Sequence, residues 1–212
     1  MADASNLFDV TFKSSERIEV GCNMHARRGF VKALDAGDLR ASVPIAAFKA
    51  LYDVEADSAD MAPEMRLRER QRRSKPVYDE LLHWCQTYQS IEPPKSMLGT
   101  AVQYLLNQRV ALTRFLDDGG LPIDNGIVER LHRRPAVGRR NFLFAGSHVA
   151  GERAAIAYSV LASCALADVN PIEYLADLLP RLARGTFTAH EFSVMLPNAW
   201  KAARATATAD GM

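Results

Sequence analysis

From Phe30 onward, apolar residues recur every three or four positions, the spacing of one buried face of an α-helix. Phe30, Val31 and Leu34 mark a helix that Gly37 ends. Ile45, Phe48 and Tyr52, with Glu55 behind them, mark a longer one opened by Pro44. Glu64 to Arg73 reads as a basic helix with few apolar positions. Val77, Leu81, Trp84, Cys85 and Tyr88 form a stripe closed by Pro93-Pro94. Leu98, Ala101, Val102, Leu105, Leu112 and Leu116 form another, closed by Gly119-Gly120. Further helices are predicted over about 151–167, with Ile156, Val160 and Cys164 inward, and about 171–182, with Ile172, Leu175, Leu178 and Leu179 inward. Pro180 obstructs the second of these near its end. The tail from Lys201 is small and polar and is expected to fray.

The amino-terminal part departs from this period. Leu7, Val10 and Thr11, with Phe8 and Phe12, suit a short helix. Arg17 to Cys22 alternates, with Ile18, Val20 and Cys22 on one face, and is predicted as the one β-strand. A lone strand makes no sheet. The pattern therefore fits an all-α domain with one extended segment, or part of an α/β domain. If the helices from Phe30 onward form their own core, residues 1–29 are dispensable to it.

The stretch from Leu121 to Ser147 carries the densest chemistry. Asp124 can cap the amides of a new helix, and Pro135 is expected to stop that helix about three turns later. Between them stands one carboxylate, Glu129, followed by Arg130, His132, Arg133 and Arg134. Then come Gly138-Arg139-Arg140-Asn141, Phe142-Leu143-Phe144 and Gly146-Ser147. A carboxylate on a rigid helix suits a hard cation such as Mg²⁺, and arginines around it would hold a polyanion by bidentate phosphate contacts. The plainer alternative is an i,i+4 pair of Glu129 with Arg133 on a solvated helix face.

The net charge of +1 gives no sign of a polyanionic partner, but the local charge is uneven. Glu64 to Lys75 holds six basic and two acidic residues, and Asp124 to Phe142 five basic and two acidic. Such patches fit a DNA-facing surface, or equally a solvated helix face. The 48% apolar and 24% charged composition can bury a sizeable core. Cys22, Cys85 and Cys164 are sparse and odd in number, which argues against a disulfide framework and fits a reducing, cytoplasmic setting. No unbroken apolar run approaches the roughly 20 residues of a membrane span, and the amino terminus lacks the basic and apolar regions of a signal peptide. Cys22 and His25 have the Cys-x-x-His spacing of a half zinc site. A structural zinc needs four ligands, and the alternative is a half-buried thiol beside a hydrogen-bonded imidazole.

These residues resemble the carboxy-terminal signature of insertion-sequence-66-type DDE transposases. The resemblance rests on Asp124-Asn125-Gly126, Glu129-Arg130, Arg133, Gly138-Arg139-Arg140-Asn141, Phe142-Leu143-Phe144 and Gly146-Ser147. Gly126 stands where the family has a second Asn, and Arg140 where it has Lys. Upstream, Cys22, His25, Ala26, Arg27, Arg28 and Phe30 match a Cys-x-x-His-Ala-Arg-Arg-x-Phe pattern, with Met24 in place of Ala. Leu51-Tyr52 with Glu55, and Ser96 to Leu106, match two further segments.

The resemblance implies a mainly α chain: a partial ribonuclease-H-like α/β core, a helical insertion and a carboxy-terminal helical unit. The expected divisions are 1–29 for the core remnant, 30–120 for the insertion, 121–147 for the Glu-bearing helix and basic loop, and 148–212 for the last unit. It implies Asp3 and Glu129 as the second and third catalytic, Mg²⁺-binding acids, Asp3 standing nineteen residues before Cys22, with Asp9 as its rival. The family's first acid lies upstream of everything present, so the chain is expected to be a fragment without strand-cleavage activity of its own. Arg27, Arg28, Arg130, Arg133, Arg134, Arg139, Arg140 and Asn141 are the expected DNA contacts. The implied partners are transposon-end DNA, a second copy or a full-length transposase. A non-catalytic DNA-binding or interaction module, or a decaying gene product, fits the same residues.

Overall fold

The computed structural model describes residues 17–138 and 145–209, which divide into two compact units, 1–127 and 128–212. Each is built by helices burying one stripe apiece.

In the first unit, α1 (Asn23–Asp35), α2 (Ser42–Asp57), α4 (Lys75–Gln89) and α5 (Met97–Asn107) surround a core. Phe30, Phe48, Leu51, Tyr78, Leu105 and Phe115 are all buried there. The core opens before Phe30, because Cys22, Asn23 and Ala26 are buried too. The crossing of α1 over α5 depends on small residues: a Cβ on Gly29 would lie 3.1 Å from that of Ala101. Between α2 and α4 runs α3 (Pro63–Glu69), which continues through a π-helical segment, Arg70–Ser74, into α4.

That segment turns Arg70 inward, where it is fully buried. Its guanidinium donates to Glu55 at 2.6 and 2.8 Å and to the carbonyls of Phe115 and Asp118, both at 2.8 Å. A buried charge is tolerated when its donors are met in this way. The basic stretch from Glu64 is thus partly internal. After α6 (Arg109–Thr113) and a 3₁₀ turn at Arg114–Leu116, the chain reaches α7 (Gly126–Gly138).

The second unit holds α8 (His148–Leu166), α9 (Pro171–Leu182), α10 (Ala189–Met195) and α11 (Pro197–Ala209). Cys164, Val169, Tyr174, Leu178, Met195 and Trp200 form its core. Tyr174 meets Trp200 edge to face at 5.5 Å and donates to the Met195 carbonyl at 2.8 Å.

Several expectations are corrected. Among the described residues there is no β-strand, so the partial ribonuclease-H-like α/β core is not found, and the fold is mainly α. Arg17 to Val20 has no helical or strand assignment, and Gly21 makes a single bridge, its amide donating to the Ala111 carbonyl at 2.8 Å. The alternation misled because Ile18 is 68% exposed while Val20 and Cys22 are buried. Pro135 does not stop α7, which runs on to Gly138; its missing amide removes one ladder bond in the last turns. Ile172 and Leu179 face outward, because α9 turns Tyr174 and Leu178 to the core instead, and on α8 Ile156 is exposed while Cys164 is buried. The tail from Lys201 is helical rather than frayed to Ala209. By length and composition alone α8 could cross a membrane, although Glu152 and Arg153 interrupt its apolar run. One such helix is equally well a helix of a soluble protein.

Candidate nucleic-acid interface

The start of α7 is held in place by residues far away in sequence. The Tyr52 hydroxyl donates to Asp124 Oδ2 at 2.6 Å, and Asp124 Oδ1 accepts from the Gly126 amide at 2.8 Å. Asp124 thus caps the helix as its position predicts. Burial, and next the Asp124 carboxylate, push the Tyr52 phenol well above its usual pKa, so it stays a donor. One residue on, Asn125 Oδ1 accepts from the Cys22 thiol at 2.9 Å. Burial raises the Cys22 pKa, so the group donates this bond as a neutral thiol.

Cys22 also begins α1, its carbonyl accepting from the amides of His25 and Ala26 at 3.1 and 3.4 Å. Cys22 thus stands at the start of α1 and His25 in its first turn. Among the described residues no three of His, Cys, Asp or Glu gather to hold a metal.

A cleft of about 310 Å³ opens beside this junction, lined by Met24, Arg27, Lys49, Tyr52 and Asp124. Arg27 is half-buried on its wall. Lys49, which no motif contains, is exposed on α2 and pairs with Asp53 at 2.6 Å. The next residue of α1, Arg28, lines a different groove with Lys32 and Lys95.

The other expected contacts are spread along α7. Glu129 is half-buried in its first turn, and Arg130 and Arg133 are exposed. Asp3, Arg139, Arg140, Asn141 and the side chain of Arg134 lie outside the described residues. Arg28 and Lys32 are one turn apart on one helix, a spacing that marks a shared face. Lys49 and Lys95 carry no such signal.

The sequence pattern of the Transposase IS66 family matches residues 1–153. The chain belongs to that family. It is 33% identical over 197 residues to a Sinorhizobium fredii (strain NBRC 101917 / NGR234) protein called "Uncharacterized protein y4hP", a match covering 87% of this chain and 35% of the relative. It is also 33% identical over 182 residues to "Uncharacterized protein y4jD" of the same strain, covering 85% and 36%. The chain thus spans about a third of the length of these curated relatives. No solved structure matches the chain.

Within this Transposase IS66 member, several motif residues have structural duties. Glu55 neutralises buried Arg70. Ser96 caps α5 through a 2.9 Å bond from the Gly99 amide, and Gly99 packs so closely on the Pro93 carbonyl that no side chain fits. Asp124 and Asn125 fix the start of the helix bearing Glu129. Mg²⁺ needs several oxygen ligands in octahedral array. Among the described residues no three of His, Cys, Asp or Glu gather, so they do not by themselves complete such a site.

Proposed function

We propose that this chain is the Glu129-bearing, DNA-holding part of an insertion-sequence transposase, a protein whose chemistry is metal-dependent cleavage and transfer of DNA strands. In that reading Glu129 is the third acid and Asp3 the second, with Mg²⁺ as the cofactor. The part drawn from this chain's own residues is DNA binding. Arg27, Arg130 and Arg133, with Arg134, Arg139, Arg140 and Asn141, contact phosphates, while Tyr52, Cys22, Asp124 and Asn125 set the origin of α7. The observation that carries the reading is the family match over residues 1–153, which includes every one of these positions.

The test is fluorescence anisotropy on the purified chain with a labelled duplex of about 30 base pairs, titrated over a salt series. Binding is expected with little sequence preference. Replacing Arg27, Arg130 and Arg133 by Ala should flatten the plot of log affinity against log salt by about 0.9 for each phosphate no longer neutralised. No binding at about 50 mM salt, where electrostatic attraction to the backbone is least screened, overturns the proposal.

A further inference from the structure

Arg27 and Arg28 are adjacent on α1 and serve different clefts. Successive helical residues point about 100° apart, so a basic pair can address two faces. Arg27 looks into the cleft with Tyr52 and Asp124. Arg28 lines a groove of about 390 Å³ between α1 and α5, together with His25, Lys32, Lys95, Thr100 and Tyr104.

Three features separate this groove from an ordinary solvated face. First, no carboxylate lines it. Second, among the described residues Arg28, Lys32 and Lys95 have no ion-pair partner, whereas Lys49, Arg72, Arg73 and Lys75 each pair with an acid. Third, the floor is made of small residues, Ala26, Gly29 and Ala101, so the cations stand around a depression. Close packing of Gly29 on Ala101 keeps that floor low.

We infer that the α1–α5 groove is a second DNA-backbone site on this chain, in which Arg28, Lys32 and Lys95 hold consecutive phosphates of one strand. The inference rests on the DNA-binding reading above and adds a site to it. A single inorganic anion suits the groove poorly. It is open, larger than one phosphate, and its cations come from two segments rather than converging as backbone amides do. A repeating polyanion gains from such a spread, since each phosphate neutralised releases counterions. Thr100 can add a neutral hydroxyl contact, which positions a backbone without reading sequence.

The experiment uses the full chain. A variant carrying Arg28→Ala, Lys32→Ala and Lys95→Ala is compared with wild type in the duplex-anisotropy salt series. The expected result is a salt slope shallower by roughly 2.7, the share of three neutralised phosphates. A control with Arg153→Ala, Arg181→Ala and Arg184→Ala removes equal charge from the second unit and should leave the slope within experimental error. In parallel, acetylation of Lys32 and Lys95 is followed by mass spectrometry with and without DNA, and both should be protected. An unchanged slope with unprotected lysines, in a chain that still binds DNA, overturns the groove alone. Absence of all DNA binding in wild type overturns the reading beneath it. Binding of vesicles containing phosphatidylserine but not of DNA, abolished by the triple variant, assigns the groove to a lipid surface and also overturns the inference.

Discussion

The Tyr52 hydroxyl and the Asp124 carboxylate meet at 2.6 Å across 72 residues of chain, tying α2 to the turn that begins α7. Hydrogen bonds to charged groups are among the stronger ones, and this one is partly buried. Tyr52→Phe keeps the ring and removes the donor. It is expected to lower stability by about 1–2 kcal/mol. It should also weaken DNA binding if the origin of α7 shifts. Urea melts followed by circular dichroism, with the anisotropy assay, check both. Unaltered stability would mean that water replaces the phenol at no cost.

Among the described residues, Glu55 and Arg70 form the most buried ion pair. Removing one partner of such a pair leaves an uncompensated charge, typically at a cost of about 3–5 kcal/mol. Glu55→Ala should therefore cost that much, enough to unfold the first unit near physiological temperature. Arg70→Lys should rescue little, because an ammonium cannot replace the fork that reaches Glu55, Phe115 and Asp118 together. A Lys variant melting like wild type would show that charge alone suffices.

Burial pushes the Cys85 thiol up to about 12. In the unfolded chain it ionises near its ordinary value, so the folded state binds the extra proton between the two. Stability from this group is complete below about pH 8.5 and is lost as pH rises toward 12. By pH 10.5 the loss is on the order of 2 kcal/mol. Cys85→Ala is expected to be less stable at neutral pH through its cavity, yet to show a weaker decline on alkaline titration. Parallel slopes for the two proteins would assign the alkaline sensitivity to other buried groups such as Tyr78, whose phenol is raised by burial as well.

The helices were legible because burial and period agree in them. Phe30, Phe48, Leu81, Cys85, Leu98, Ala101 and Leu105 are all at predicted inward positions and all buried. The sheet was not written in the residues. It came from the family resemblance and from a single alternating run, in which Ile18 faces solvent. Helix α10 is nearly invisible to hydrophobic period, yet Thr188 and Glu191 form a complete capping box that marks its start. At the candidate site, Asp124 as a cap was legible from local chemistry. Its bond to Tyr52, and the positions of Lys49 and Lys95 beside the two clefts, were not. A lone lysine on a helix face or in a turn carries no pattern, and contacts across tens of residues leave none in a single sequence.

Asn23 ties the first turn of α1 to three other segments. Its Nδ2 donates to the carbonyls of Leu112 and Ile123 at 3.0 and 3.2 Å, and its Oδ1 accepts from the Tyr78 hydroxyl at 2.8 Å. All of these groups lie where water does not reach Asn23, which is fully buried. Asn23→Ala strands the buried Tyr78 phenol and takes a side-chain donor from the Leu112 and Ile123 carbonyls, although Ile123 keeps the residue-23 amide at 3.2 Å; each buried group left unmet costs about 1–3 kcal/mol unless water enters. The variant is expected to be destabilised by about 3 kcal/mol or more. Tyr78→Phe alone should cost less, since Asn23 keeps two of its partners. In the double variant the phenol is no longer stranded, so the combined cost should fall short of the sum by about 1 kcal/mol. The same geometry bears on residues 1–29. Deleting them removes Cys22, Asn23 and Ala26 from the core and leaves Gly29's place against Ala101 empty. The first unit should then fail to melt cooperatively, although the helices from Phe30 onward keep their stripes. A truncated chain with a sharp transition would show that those stripes close a core without the Asn23 junction.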